Sequence, residues 1–564
     1  MKLHFTQRTD YLLTGLLTAV PVAVFMGVWA HYAVNIPKWD DHALKAFLLE
    51  LEGETNVTGK VYQFFKQHNE HRIVFDRLVT YLDFHLFGKL NYLRLMTVGN
   101  LSLLGLVALF GAVLRRANQR IIYVVPVAFI LFNLLQWENM FWGMAALQNF
   151  TVVLWVLWAL YVLTHGKRPL STASAFGLAV LATLTSGNGL LIWPIGAAVL
   201  GLQRRWRALI PWMVGAVVVI GLYFTGYVKP AGNPPARGSI IDLLQGWLAF
   251  NGSAGEGLPV GSPFGVCVLL GGLLTVAVLV LAFYVLFQKQ PTNNRFSTRQ
   301  LAKPADLFFV GSVAFLLGTG AIVAWSRVGF GLELLITSRY KIYSLTLLAV
   351  VYVYAVIRVP GRFRRAVGGA SLAGAVALAY LSYPTFLDET IWWRQWLTTS
   401  QFNWTYTANA PRPAIDANTA RFINNAPAFY DRHVPALYVP QSDTTRTGTP
   451  ADTQRHTLML DLTAPDLLPP ANRDAGTYVW LRSSRRLYVF NTNPHRNGSI
   501  RARLGLGPLF APGFSVRINE IDVEPGTYRV GVLTVDAAGN LRQRPLPYAF
   551  VATDGGRNIP AKNW

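Results

Sequence analysis

Two adjacent carboxylates, Asp40 and Asp41, stand just beyond the first apolar stretch, between Trp39 and His42. Like charges this close repel each other and are costly to hold beside lipid, so the pair asks for a functional or structural use. A carboxylate at this place can take a proton from a hydroxyl group. Either aspartate can also cap a helix that starts at His42, and the two uses are compatible. A second group follows in QHNEHR, with His68, Glu70, His71 and Arg72, and then Asp76. On a helix His68, His71 and Arg72 share one face at i, i+3 and i+4, a face suited to phosphate, and Arg72 reaches Asp76. Two histidines around a glutamate also raise a metal site, but the spacing is not HExxH, and a surface helix accounts for the pattern as simply.

Further on, QWENMFWGMAALQNF sets Glu138 and Gln148 among Trp137, Phe141 and Trp142. Aromatic faces beside hydrogen-bonding groups suit a sugar, and an aromatic belt at a membrane interface uses the same residues. The string SGNG at 186–189 reads as a tight turn, with close backbone approach to a ligand as the alternative. Arg327, Arg339, Tyr340 and Lys341 fall in SRVGFGLELLITSRYKIYS. Cations gathered on an outer face run against the positive-inside tendency, so an anion is expected to offset them. A lipid-linked phosphate fits, because arginine grips phosphate oxygens bidentately; snorkelling to headgroups is the alternative.

A membrane frame must position these groups. Of 564 residues 52% are apolar and 14% charged, too hydrophobic for a soluble enzyme of this length. The net charge of +22 lies in short clusters between apolar runs and forms no continuous patch, which argues against nucleic acid as partner. With Cys267 as the one cysteine, neither an intrachain disulfide nor a thiolate metal site is available. The stretch from Tyr11 to about Val34 has the length of a span, exceeds a signal-peptide core and lacks a cleavage site, so it reads as the first membrane helix.

At about 20 apolar residues per crossing, eleven spans are expected, near 11–33, 94–114, 121–136, 150–165, 170–186, 189–203, 208–228, 263–287, 307–326, 342–357 and 367–385. Several are short, and pairs of them could be re-entrant. With the N-terminus inside, the inner segments carry Lys2 and Arg8; Arg115, Arg116 and Arg120; Lys167 and Arg168; Arg204, Arg205 and Arg207. Lys289, Arg295, Arg299 and Lys303, then Arg358, Arg362, Arg364 and Arg365, complete the inner set. Among acids only Asp10 and Asp306 fall inside, both at span edges. The remaining carboxylates, and the chemistry with them, go outside.

Three outer pieces are large. The loop 35–92 contains DHALKAFLLELE and RIVFDRLVTYLDFHLF, amphipathic stretches expected to lie as helices along the membrane. The piece 229–262 is rich in Gly and Pro. The tail divides into a helical connector, 387–434, whose TIWWRQW run is expected at the interface, and a β-rich domain, 435–564. There TYVWLR, RLYVFN, FSVRINEIDV, TYRVGVLTV and PYAFVAT, bounded by turns, read as strands of a small β-sandwich. The fold class is thus a polytopic α-helical membrane domain, 1–386, followed by an extracytoplasmic α+β region.

This layout, with many spans, a large first outer loop bearing membrane-surface helices, and an acidic motif just after the first helix, resembles the GT-C glycosyltransferases. The strings WDD, QHNEHR, QWENMFWG and SRY are similar to those of a bacterial group of polytopic proteins. The resemblance covers 1–386. It implies a multi-pass protein of the bacterial inner membrane that moves a sugar from a polyprenyl-phosphate donor to a glycan, lipid or protein acceptor on the outer face. It makes Asp40 the general base, with Asp41 as neighbour or alternative, and assigns Arg339 to the donor phosphate, helped by Arg327, Lys341 or Arg72. His68, Glu70, His71, Glu138, Gln148 and Tyr340 fall to substrate. Some GT-C enzymes use a divalent cation, Mg or Mn, for which the sequence holds no unambiguous site. A flippase for lipid-linked sugars shares the architecture, though transporters keep ionisable groups near the bilayer midplane and often show repeats. A non-catalytic subunit of envelope polysaccharide assembly is the third reading.

Overall fold

The computed structural model describes residues 7–230, 238–258, 262–287, 303–422, 426–439 and 457–553. Lys2, Lys289, Arg295 and Arg299 lie outside the described residues, as do parts of the 229–262 piece and the tail segments 423–425, 440–456 and 554–564. The chain divides into two compact units. One comprises 1–27, 46–82 and 94–383; the other comprises 28–45, 83–93 and 384–564, so it joins two stretches of the first outer loop to the tail.

The first unit is helical. Among the described residues eight helices are long and apolar enough to cross a membrane: Arg8–Tyr32, Tyr92–Arg116, Gly143–His165, Trp206–Phe224, Pro263–Leu286, Pro304–Phe330, Ser338–Arg358 and Gly361–Thr405. A ninth candidate is a pair, Ile121–Leu131 and Leu134–Phe141, bent by 42°. The bend has a local cause. Asn133 accepts the Leu135 N–H at 3.0 Å and donates to the Ile130 carbonyl at 2.7 Å, while Ser382 Oγ accepts the Leu134 N–H at 2.9 Å, so side chains satisfy backbone groups that the helix releases. The stretches expected at 170–186 and 189–203 are the shorter helices Pro169–Thr183 and Gly187–Leu202. Among the described residues eight helices, or nine with the bent pair, thus have the length and composition of a span, and the remaining apolar segments expected from the sequence are shorter helices.

Four ion pairs in this unit join residues expected from the sequence on the same side. Asp10 pairs with Arg120, Nε to Oδ2 at 2.7 Å, and Asp306 pairs with Arg358; all four are residues expected inside. Glu70 pairs with Arg327, and Lys341 with Glu256, all expected outside.

Of the amphipathic stretches of the first outer loop, one forms the helix Asp41–Gly53 and another the helix Val74–Phe87, with Val57–Phe65 between them. QHNEHR is not helical. It is a tight turn in which His68 and His71 exchange backbone hydrogen bonds at 2.8 Å in each direction, with Asn69 in the left-handed region at φ 47°. The i, i+3, i+4 face drawn for His68, His71 and Arg72 is therefore absent.

In the second unit the described residues of the tail form seven strands: β1 (Thr457–Leu462), β2 (Gly476–Arg482), β3 (Leu487–Asn491), β4 (Asn493–Arg496), β5 (Phe510–Asn519), β6 (Gly526–Val535) and β7 (Leu541–Ala552). They form two antiparallel sheets, ordered β1-β5-β4 and β3-β2-β6-β7. One face of each contributes to a common core that includes Leu458, Val479, Phe514, Ile518, Val530 and Phe550. The other face of the four-stranded sheet, with Tyr478, Trp480 and Leu533, packs against Phe402, Tyr430 and Leu437. Burial on both faces explains why β2 reads as an unbroken apolar run, TYVWL, with no polar alternation. TIWWRQW continues a single 45-residue helix, Gly361–Thr405, where short interfacial helices were expected. At 1.5 Å per residue this helix runs to about 67 Å, roughly twice the hydrocarbon thickness.

Candidate functional site

The acidic motif belongs to the second unit. After the first helix the chain turns at Trp39, whose φ of 40° is left-handed. The turn is tied by Asp41 N–H to Lys38 O at 2.8 Å and Ala43 N–H to Asp40 O at 2.9 Å. Asp41 is fully buried, and its Oδ2 accepts the Lys38 N–H at 3.1 Å, reaching back three residues as the acid of a capping box does. Asp40 is half-buried. Asp41 thus ties the turn that leads into the helix Asp41–Gly53.

Lys38, which the sequence reading passed over, is 2% exposed. Its ammonium sits 3.0 Å from the ring centre of Trp396, 3.6 Å from Trp39 and 4.5 Å from Trp393, a cation held against three negative aromatic faces. Arg394, on the same helix turn as Trp393 and Trp396, donates bidentately to Asp474 at 2.9 and 3.2 Å. Its remaining nitrogen donates to the carbonyls of Tyr32 and Ala33 at 3.3 and 3.2 Å, where a helix end leaves carbonyls unsatisfied. This arginine thereby fixes the chain that leads into Asp40. Beside the motif lies an apolar cleft with about 370 Å³ of empty space, lined by Ile36, His42, Lys45, Trp396, Gln401 and Trp404 among others. Burial, and then the charge of Lys45, pushes the His42 imidazole down to about 4, so it is neutral at pH 7.

The remaining candidates belong to the first unit and form two groups. In one, Glu138 Oε2 accepts the backbone N–H of Arg339 at 3.0 Å, while Asn139 Nδ2 donates to the Arg339 carbonyl at 2.9 Å. Ser338 Oγ accepts the Glu138 N–H at 3.1 Å and donates to Leu135 O at 2.8 Å; Asn149 Nδ2 donates to Asn139 Oδ1 at 2.9 Å. The peptide of Arg339 is thus held from both sides by buried polar side chains. Its guanidinium carbon lies 6.0 Å from the Trp142 ring centre and 5.4 Å from that of Tyr340. Gln148 is half-buried on the π-helical turn Ala146–Phe150, next to Asn149. Asn139, Asn149 and Ser338 were missed; the polar residues in QWENM, LQNF and ITSRY were the available signal.

In the other group, Arg327 Nη2 donates to Glu70 Oε1 at 2.6 Å. His71 Nδ1 accepts the Gly187 N–H at 3.1 Å, which leaves the proton of the neutral ring on Nε2, and Tyr223 Oη donates to Glu70 O at 3.2 Å. Gly187 belongs to SGNG, and a Cβ there would lie 3.0 Å from His71 Nδ1 and 3.2 Å from Tyr223 Oη, so the close approach is to a histidine of this chain. His68 contributes its backbone to the turn, and its ring Nε2 is 3.3 Å from Asn69 Nδ2.

Two expected phosphate contacts are engaged elsewhere. The Arg72 guanidinium donates to three backbone carbonyls, those of Tyr223 at 2.5 Å, Phe65 and Thr225, and so joins two helix C-termini. Lys341 is 1% exposed and paired with Glu256. Among the described residues no three His, Cys, Asp or Glu side chains are grouped so as to hold a metal ion. The chain matches no protein-family model, no curated protein and no solved structure.

Proposed function

We propose that the chain is a membrane glycosyltransferase of GT-C type, taking a sugar from a polyprenyl-phosphate donor on the extracytoplasmic face of a bacterial inner membrane. In this reading all eleven apolar segments enter the bilayer, the basic loops are cytoplasmic, and the tail, ending in a β-sandwich, is extracytoplasmic. Asp40 takes the proton of the acceptor hydroxyl as that oxygen attacks the anomeric carbon. The bond to the lipid phosphate breaks on the opposite side, inverting the configuration, and Arg339 stabilises the charge that develops on the departing phosphate. Arg327 and Glu70 orient the donor sugar; Glu138, Asn139 and Ser338 position Arg339; Arg72 and Lys341 serve the frame.

The observation that carries this reading is the doubly held peptide of Arg339, flanked by Trp142 and Tyr340. A preorganised arginine stabilises developing charge without reorganising at the moment of reaction. A fixed arginine supports transfer over flipping, because a flippase must release the phosphate on both sides. The test is transfer by the purified full chain in proteoliposomes from a panel of polyprenyl-phosphate sugars. Turnover with at least one donor is expected; donor movement between leaflets without any transfer would favour the flippase.

A further inference from the structure

A second basic site lies where the helices Pro169–Thr183 and Trp206–Phe224 begin. A groove there has a volume of about 930 Å³ and is lined by Lys167, Arg204, Arg207, Trp206, Phe176 and Trp212 among others. That is near the upper end of the roughly 300–1,000 Å³ of small-molecule sites, room enough for a large amphiphile.

Its two ends differ in chemistry. Lys167, Arg204 and Arg207 are exposed at the rim, with Trp206 60% exposed beside them. The floor is aromatic and fixed: Trp212 is 1% exposed, its Nε1 donates to Trp193 O at 3.0 Å, and its ring meets Phe176 edge-on. Arg205, between the rim cations, holds the frame. It donates to the carbonyls of Leu163 and Gly166 at 2.9 Å each and to Thr172 Oγ1 at 2.6 Å, strapping one helix end to the start of the next. Arg204 takes φ 56°, a left-handed conformation that usually falls to Gly or Asn after a helix end. Further along the helix Trp206–Phe224, Ile210, Met213, Val214 and Val217 are exposed, as a lipid-facing surface requires.

We infer that this groove holds an anionic glycerophospholipid, its phosphate among Lys167, Arg204 and Arg207 and its acyl chains along Phe176, Trp212 and those exposed side chains. Three rim cations match a negative headgroup, and a soluble anion would make no use of the apolar floor. The inference rests on the chain lying in a membrane and not on glycosyl transfer.

The test is native mass spectrometry of the full chain in detergent, titrated with phosphatidylglycerol or phosphatidylcholine. Phosphatidylglycerol should be retained preferentially, and the combined substitutions K167Q, R204Q and R207Q should weaken its binding by tenfold or more, at roughly the per-residue contribution of a basic side chain at an anionic surface. Glycerol phosphate should not displace it. Equal retention of both lipids, unchanged binding by the substituted protein, or displacement by glycerol phosphate overturns the inference. Should the substituted protein fail to fold, a photoactivatable phosphatidylglycerol on the wild-type chain decides: crosslinks within 167–176 or 204–214 are expected, and labelling confined to other segments contradicts it.

Discussion

The carboxylate of Glu138 accepts the backbone N–H of Arg339 at 3.0 Å, across 201 residues of sequence, and so determines where the guanidinium starts from. Glu138→Gln keeps an oxygen that can accept this bond and should preserve donor binding within a few fold. Glu138→Ala leaves a buried N–H to find another acceptor, a loss of about 1–3 kcal/mol. Thermal unfolding in detergent, paired with donor binding, checks this; equal behaviour of the two variants would remove Glu138 from the positioning role.

Asp40 and Asp41 should fail differently. Asp41 caps a turn while buried, so Asp41→Ala is expected to lower stability by about 0.5–2 kcal/mol. Asp40→Asn should leave the unfolding midpoint unchanged and act on turnover alone. A stability loss confined to Asp40→Asn would exchange the two assignments.

Gly187→Ala brings a methyl to 3.0 Å from His71 Nδ1, a contact that must open for the side chain to fit. Stability should fall by about 1–3 kcal/mol, the usual range for overpacking. Adding His71→Ala to Gly187→Ala removes the clashing ring, so the glycine substitution should do less harm in that background. Strict additivity of the two would show that the contact is not the cause.

His42 titrates near 4 when folded against 6.5 when unfolded, because burial disfavours its charged form. Between these values the unfolded state binds more protons. The folded state therefore keeps this contribution above about pH 6.5 and loses it progressively as pH falls to about 4, on the order of 3 kcal/mol in all. His42→Gln should flatten the decline in stability over that window, as urea unfolding at pH 4.5 and 7 measures.

The long helices were legible because apolar runs of membrane length, bracketed by arginines, admit few other structures. The strands β2, β3, β5, β6 and β7 were legible from β-branched and aromatic runs between turns; β1 and the four-residue β4, NPHR, carry too little of that pattern. Tertiary partners were not legible. Arg72 looked like a phosphate ligand because the carbonyls of Tyr223 and Thr225 that occupy it lie some 150 residues away. Lys38 escaped notice for the same reason, since Trp393 and Trp396 reach it from the far end of the chain. QHNEHR was drawn as a helix because helical spacing is satisfied by many strings, and the left-handed Asn69 that makes it a turn is a preference and not a rule.

Single-turnover transfer measured alongside donor binding separates the roles of Asp40 and Arg339. Asp40→Asn keeps size and hydrogen bonding but removes basicity, so it should lower transfer about 10²- to 10⁴-fold with donor affinity intact. Arg339→Ala removes a charge-assisted contact made before and during the reaction, so it should weaken donor binding and transfer together. Near-normal transfer by folded Asp40→Asn and folded Asp41→Asn alike, or donor binding by Arg339→Ala equal to that of the parent chain, would contradict the account.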